Sequence, residues 1–297
     1  MTRLHIRQAG YVVAVVAAML STLAATQSLE QRQVFVAVED PSGQPVTGKP
    51  ADAFHVWEGG VEREVSKAVP AVDAPSVVVI VHGLTSDDGT QDIRKGLMAL
   101  VDTFRKANAQ TRMVMITYPL TPKLAPIADN PVLDETASRF SASTNNLILL
   151  EAITDACHAL AKETSRRRII VAITSSLKND GSEQYGDKAV NALKSAGASL
   201  WSIDITPNSN KSNLQSVMNY EKDNVLATWT TGSGGFNDQI FGTTGLAASA
   251  TRMASIIMSQ YQVTFDRPSG GGEEPNLRVG VAGAVGEKVL ASAWSVK

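Results

Sequence analysis

Five consecutive apolar, β-favouring residues, Val77-Val78-Val79-Ile80-Val81, run directly into His82-Gly83. Such a run leaves no polar side to face solvent. It predicts a strand buried on both faces, as in a parallel sheet covered by two layers of helices. A helical pattern follows from near Gln91, with Ile93, Leu97, Leu100, Val101 and Phe104 on one face. Further strand-like runs at 112–117, 168–174 and 198–206 alternate with helical patterns at 147–160, 185–196 and 246–258. This alternation predicts an α/β fold with a doubly wound, mostly parallel sheet over residues 76–260. Ligands of such sheets bind beyond the carboxyl ends of the strands. His82, Gly83, Thr85, Ser86, Asp87 and Asp88 therefore form the first candidate binding loop.

The flanking segments have a period of two. Val34, Val36 and Val38 alternate with Phe35, Ala37 and Glu39, and Phe54, Val56 and Glu58 with His55 and Trp57. Asp40-Pro41-Ser42-Gly43 and Gly59-Gly60 supply the turns. Strand patterns return at 261–265, 276–281 and 288–294. A unit of roughly 40 residues buries too little to stand alone. Residues 33–70 and 261–297 are therefore expected to complete one small antiparallel, Ig-like β-sandwich into which the α/β domain is inserted.

Arg3 and Arg7 precede an uncharged apolar run at 11–25, and small residues follow at Ala24, Ala25 and Thr26. This is the layout of a signal peptide, expected over residues 1–25. The run falls short of the ~20 residues that span a bilayer. The chain is then periplasmic or secreted, with no membrane span after cleavage; the alternative is an uncleaved N-terminal membrane anchor. Cys157 is the single cysteine, which excludes an internal disulfide, and it reads as a small core residue of a helix. Formal net charge is −2. The short cluster Arg166-Arg167-Arg168 reads as a solvated helix end, so no nucleic-acid partner is expected. Trp57, Trp201 and Trp294 fall in predicted strands and read as packing anchors.

A His-Gly loop at a strand end fits two functions. In an α/β-hydrolase it supplies part of the oxyanion hole, and a histidine base follows the nucleophile in the chain. No G-x-S-x-G occurs, and Thr174-Ser175-Ser176 lacks both glycines. The four histidines are His5, His55, His82 and His158, so none follows a serine at a plausible elbow. An esterase using Ser175 stays as the alternative.

The second function comes from the flanks. Glu39-Asp40-Pro41-Ser42-Gly43-Gln44-Pro45-Val46-Thr47-Gly48 and Ala53-Phe54-His55-Val56-Trp57-Glu58-Gly59-Gly60 precede the sheet. Thr231-Gly232-Ser233-Gly234-Gly235-Phe236 and then Tyr261-Gln262-Val263 close it. With these elements residues 33–297 resemble the von Willebrand factor A (VWFA)-related family of secreted bacterial proteins. The resemblance implies a non-enzymatic, adhesion-type module whose partner is a protein in the cell envelope or outside the cell. It also implies a metal-ion-dependent adhesion site, built from a D-x-S-x-S loop, a threonine from a second loop and an aspartate from a third.

In this chain the D-x-S-x-S frame falls on His82-Gly83-Leu84-Thr85-Ser86, the threonine on Thr144, and the aspartate on Ser175. Both carboxylates of the pattern are replaced. Ser86 and Thr144 remain as weak metal candidates, but an imidazole and hydroxyls do not substitute for two carboxylates around Mg²⁺ or Ca²⁺. No cofactor is expected, and the adhesion site reads as degenerate. Asp87 and Asp88 read as caps of the following helix; a shifted loop would instead bring one to a metal. His82 reads as donating to a backbone carbonyl, His55 as a sheet-face residue and His158 as a helix-surface residue. The expected binding surface comprises residues 82–88, the long proline-rich loop 119–144, and residues 175–185.

Overall fold

The computed structural model describes residues 28–84, 89–117, 122–141, 147–175, 181–206, 225–269, 276–283 and 285–296. The chain opens with β1 (Leu29–Glu39), β2 (Phe54–Glu58), β3 (Val61–Arg63) and β4 (Val65–Pro70). Alternation then begins with β5 (Ser76–His82), α1 (Thr90–Ala107), β6 (Arg112–Ile116), β7 (Ala125–Pro126), α2 (Pro131–Ser138) and α3 (Leu149–Leu160). It continues through β8 (Arg168–Ser175), α4 (Gly186–Ala196), β9 (Ala198–Thr206), β10 (Asn237–Phe241) and α5 (Leu246–Met258). The chain closes with β11 (Tyr261–Pro268), β12 (Leu277–Val281) and β13 (Lys288–Ala291).

The large sheet has the order β10-β9-β8-β5-β6-β7 and is parallel except at β7. The first strand of this unit, β5, lies in the middle, and the order reverses between β5 and β8. That is the doubly wound arrangement with its topological switch point. Every residue of β5 is buried, as its unbroken apolar run predicts. Val77, Val79 and Val81 join the core formed with α1 and α5, while Val78 and Ile80 join the core formed with α3 and α4. Cys157 lies in the second core, where burial pushes its thiol up to about 12. It is therefore a packing residue and not a nucleophile.

Two antiparallel sheets, β13-β1-β11-β4 and β12-β2-β3, enclose a third core that includes Val34, Val36, Val38, Phe54, Val56 and Val263. β1 pairs with β11 over its first part and with β13 over its last. The other face of β1 contributes Ala37 to the core of the large sheet. One strand thus serves two cores, and the N- and C-terminal segments build the sandwich together.

Several expectations need correction. The stretch 119–144 is not a plain loop: its described residues include β7 and α2. Asn130 accepts the Leu133 N–H at 3.1 Å and Pro131 opens the helix, a cap-and-proline start. β10 was not anticipated, because a half-exposed edge strand carries no apolar run. Trp201 is buried, but Trp57 is half-exposed on the outward face of β2, its ring 5.9 Å from that of His55. Trp294, just beyond β13, is half-exposed but does pack against the core formed with α3 and α4.

The arginine cluster is the largest correction. Arg167 is 1% exposed. Its guanidinium donates to the carbonyls of Ala71 at 3.0 Å, Asp73 at 2.7 Å and Ile257 at 2.8 Å, and lies 5.9 Å from the Phe35 ring centroid. Arg168 donates to Ala196 O at 2.7 Å, and Arg166 to Gln33 Oε1 at 3.2 Å. Arg167 and Arg168 fasten the start of β8 to its neighbours, while Arg166 is exposed as expected. Burial lowers the Arg167 pKa to about 10, against the opposing charge of Asp73, so the group stays charged at neutral pH.

A second joint surrounds Phe236. Its ring lies edge-on to Trp201 at 5.3 Å, with the Arg252 and Lys288 cations each 5.0 Å from its centroid. Gly234, at φ +87°, and Gly235 deliver it there; a Cβ on Gly235 would collide with the Leu200 carbonyl. The glycine-rich element is thus a close-packing device. Buried Glu39 belongs to the same joint, 4.0 Å from Lys288 Nζ and with Oε1 lacking a hydrogen-bond partner.

Two outcomes follow from these joints. Arg167→Met removes the donors to three carbonyls and leaves the buried Ala71 carbonyl unpaired, so unfolding free energy should drop by about 2–4 kcal/mol in chemical denaturation. Arg167→Lys should recover only part of this, because an ammonium lacks the planar fork; a loss under ~1 kcal/mol for Met would refute the clamp. Burial raises the Glu39 pKa above its ordinary 4.5, with Lys288 and Arg252 opposing. Between 4.5 and the raised value the folded chain binds this proton more readily than the unfolded chain. This group's contribution to stability therefore grows as pH falls through that window, and its ionised form costs stability at neutral pH. Glu39→Gln is expected to raise Tm at pH ~7, with the gain closing by pH ~4. An unchanged Tm at neutral pH would mean that the two cations fully offset burial.

Candidate functional site at the sheet rim

Strand register builds the site. His82 on β5 is level with Thr174 on β8, Thr174 with Asp204 on β9, and Asp204 with Gln239 on β10. Cross-strand partners at one level share a face. The strands therefore present a polar row, His82–Thr174–Asp204–Gln239, at their carboxyl ends. It continues the face of Val78 and Ile80, which α3 and α4 cover. His82 and Thr174 are each 0% exposed, and Asp204 is also buried. The row begins at the switch point between β5 and β8.

His82 Nδ1 and Thr174 Oγ1 are joined by a 2.9 Å hydrogen bond. The partner found is a side-chain hydroxyl, not the expected backbone carbonyl, because parallel register sets a threonine level with the imidazole. Gly83 follows at φ +71°, a left-handed turn that a Cβ would strain. Leu84 is then buried in the core beside α1 and α5. The leucine in the D-x-S-x-S frame thus serves packing.

Ser175 is the last residue of β8 and is buried. Alternation along the strand sets it on the face opposite to Thr174 and His82. His82 and Ser175 are thus brought to the same rim on opposite faces of the sheet. Thr85, Ser86, Asp87, Asp88 and Thr144 lie outside the described residues. The N-cap position of α1 is Gly89, at φ +82°, and carries no side-chain capping bond. Asp92 is the acidic residue of its first turn. His55 faces Glu62 at 3.0 Å on the sandwich surface, and His158 is exposed on α3, both as expected.

Asp204 is the site residue that sequence reasoning missed. Its signal was present, since an acid stands between Ile203 and Ile205 in an otherwise apolar strand. Among the described residues, no three His, Cys, Asp or Glu side chains gather into a group able to hold a metal. One carboxylate and an imidazole already bonded to a hydroxyl do not match the oxygen-rich octahedral set that Mg²⁺ requires. The described rim therefore does not fit the divalent ion that the family resemblance implies.

No protein-family model matches the chain, and no curated protein does. Solved structures with a similar arrangement include an aerotolerance-related membrane protein from Bacteroides fragilis, at 12% identity and TM-score 0.43, covering 61% of this chain and 98% of the other. BatB from Bacteroides thetaiotaomicron gives 13% identity and TM-score 0.41, with 62% and 98% covered. The manganese-loaded Plasmodium vivax TRAP protein gives 11% identity and TM-score 0.45, with 70% and 84% covered.

The buried His82–Thr174 bond is expected to be structural as well as site-forming. Thr174→Val keeps the shape but removes the hydroxyl, and should lower unfolding free energy by about 1–3 kcal/mol. A variant as stable as the parent would show that the imidazole does not depend on this partner.

Proposed function

We propose that this chain is an exported, non-enzymatic, adhesion-type module that binds a protein in the cell envelope or outside the cell without a divalent metal. The observation that carries the reading is His82. It stands at the switch point, where the resembled family keeps its metal-binding aspartate, and it is buried and closed onto Thr174. A metal-dependent module exposes charge there to recruit an ion. This rim offers a compact, hydrogen-bonded His82–Thr174 pair, and recognition rests on the shape and hydrogen bonds of the surrounding loops. Export follows from residues 1–25 read as a signal peptide. Among the described residues no helix is long and apolar enough to cross a membrane.

Three measurements test this. Titration with Mg²⁺ or Mn²⁺ should give no heat and leave Tm unchanged, whereas micromolar affinity would overturn the metal-free reading. A partner captured from the chain's own envelope fraction should stay bound in EDTA, and its release would have the same force. A broad ester panel should show no turnover; activity abolished by Ser175→Ala would establish the esterase instead.

A further inference from the structure

A cleft of about 310 Å³ opens between the sandwich and the opposite end of the large sheet from His82. Trp229 and Trp294 line it, with ring centroids 6.3 Å apart and planes tilted by 36°. Lys194, in the last turn of α4, sets its ammonium 4.7 Å from the Trp229 centroid and is itself exposed. The cleft is completed by Arg32, Arg267 and Glu58, whose side chains are 10%, 5% and 3% exposed.

The charges do not balance. The Glu58 carboxylate is fully committed, with Oε1 3.0 Å from Arg267 and Oε2 3.2 Å from Arg63. Arg32 reaches Glu30 through Nη2 at 3.2 Å, while its buried Nε–H has no hydrogen-bond partner. Three cations and one carboxylate therefore line the cleft, in a chain whose formal net charge is −2. An excess of cations at a partly enclosed cleft favours an oxyanion, which the exposed parts of these groups can meet with charge-assisted hydrogen bonds. The two tilted indoles offer an apolar wall beside the cations. The volume is at the low end for ligand sites, which run roughly 300–1,000 Å³; it suits one or two side chains and not a cofactor.

We propose that this cleft binds an acidic peptide segment of a partner protein. One carboxylate of the segment meets Arg32 and Lys194, and a neighbouring aromatic or aliphatic side chain lies against Trp229 and Trp294. The site is separate from the sheet rim and does not rest on the function proposed for it.

The test is titration of the full chain with acetyl-Phe-Glu-Glu-Phe-amide and its Gln-Gln counterpart, followed by tryptophan fluorescence and calorimetry. The acidic peptide should saturate, bind at least about tenfold tighter than the amide version, and weaken from ~50 to ~500 mM salt. Lys194→Gln, at an exposed position, should weaken it several-fold, and Arg32→Gln and Trp294→Ala about tenfold or more with circular dichroism unchanged. His82→Gln should leave it unaltered, which separates this site from the rim. Equal binding of the two peptides, no saturation, or indifference to Lys194→Gln and Arg32→Gln would overturn the proposal. Saturation by 3-phenylpropionate with none by the peptide would overturn the peptide as occupant.

Discussion

The assembly depends on one buried cation. Arg167 carries its charge into a region where, among the described residues, no carboxylate pairs with it directly, and three backbone carbonyls take N–H groups of its guanidinium. Ile257, one of the three, belongs to the last turn of α5, where the helix dipole presents its negative end. Ala71 and Asp73 belong to the short connection between β4 and β5. A single side chain thus fixes the end of the last helix, the entry to the first parallel strand and, through Phe35, the strand shared by two cores. Of the three, the buried Ala71 carbonyl depends on this donor most, since Ile257 O also takes the Gln260 N–H at 3.4 Å and Asp73 is exposed. The position of β5, and with it that of His82, follows from this clamp.

Sharing of β1 adds a kinetic consequence. Its partners β11 and β13 lie more than two hundred residues away in the chain. The sandwich core cannot close until the intervening α/β unit has brought these ends together. Pairing of high contact order forms late, because loop closure must be met before its contacts are made. Phe236 and its flanking cations sit at this closing seam, and Gly234 and Gly235 let the chain pass close enough to Ser292 and Leu200 to seal it.

Periodicity made the layers legible. The unbroken run of β5, the 3.6-residue pattern of α1 and the alternation in β1 and β2 each appear where the sequence places them. What failed were readings that assign an environment from residue type alone. Arg166-Arg167-Arg168 looks solvated because charge runs usually are, and Arg166 is; only the surrounding carbonyls, contributed by segments remote in sequence, reveal that Arg167 is a buried clamp. Trp57 looks like core because tryptophan usually is, but its parity in β2 turns it outward. At the rim, His82 and Ser175 were both identified, yet whether they meet depends on strand parity, which sets them on opposite faces. Asp204 was visible as an acid in an apolar strand, but its tie to the site comes from register with Thr174, and register is a tertiary fact.

The same register argues for why His82 can stand where it does. A carboxylate at this fully buried strand end would need a bound cation or a nearby basic side chain, because an isolated buried charge is prohibitively costly. Its level partner on β8 is Thr174, which offers a hydroxyl and no positive charge. An imidazole can be neutral and still fill a hydrogen-bonding position. With Thr174 beside it, the strand end can be buried without an ion. The strand end is thus buried with an imidazole and a hydroxyl in contact. At the opposite end of the sheet the excess charge has the other sign: Arg32, Arg267 and Lys194 line a cleft with the single carboxylate of Glu58.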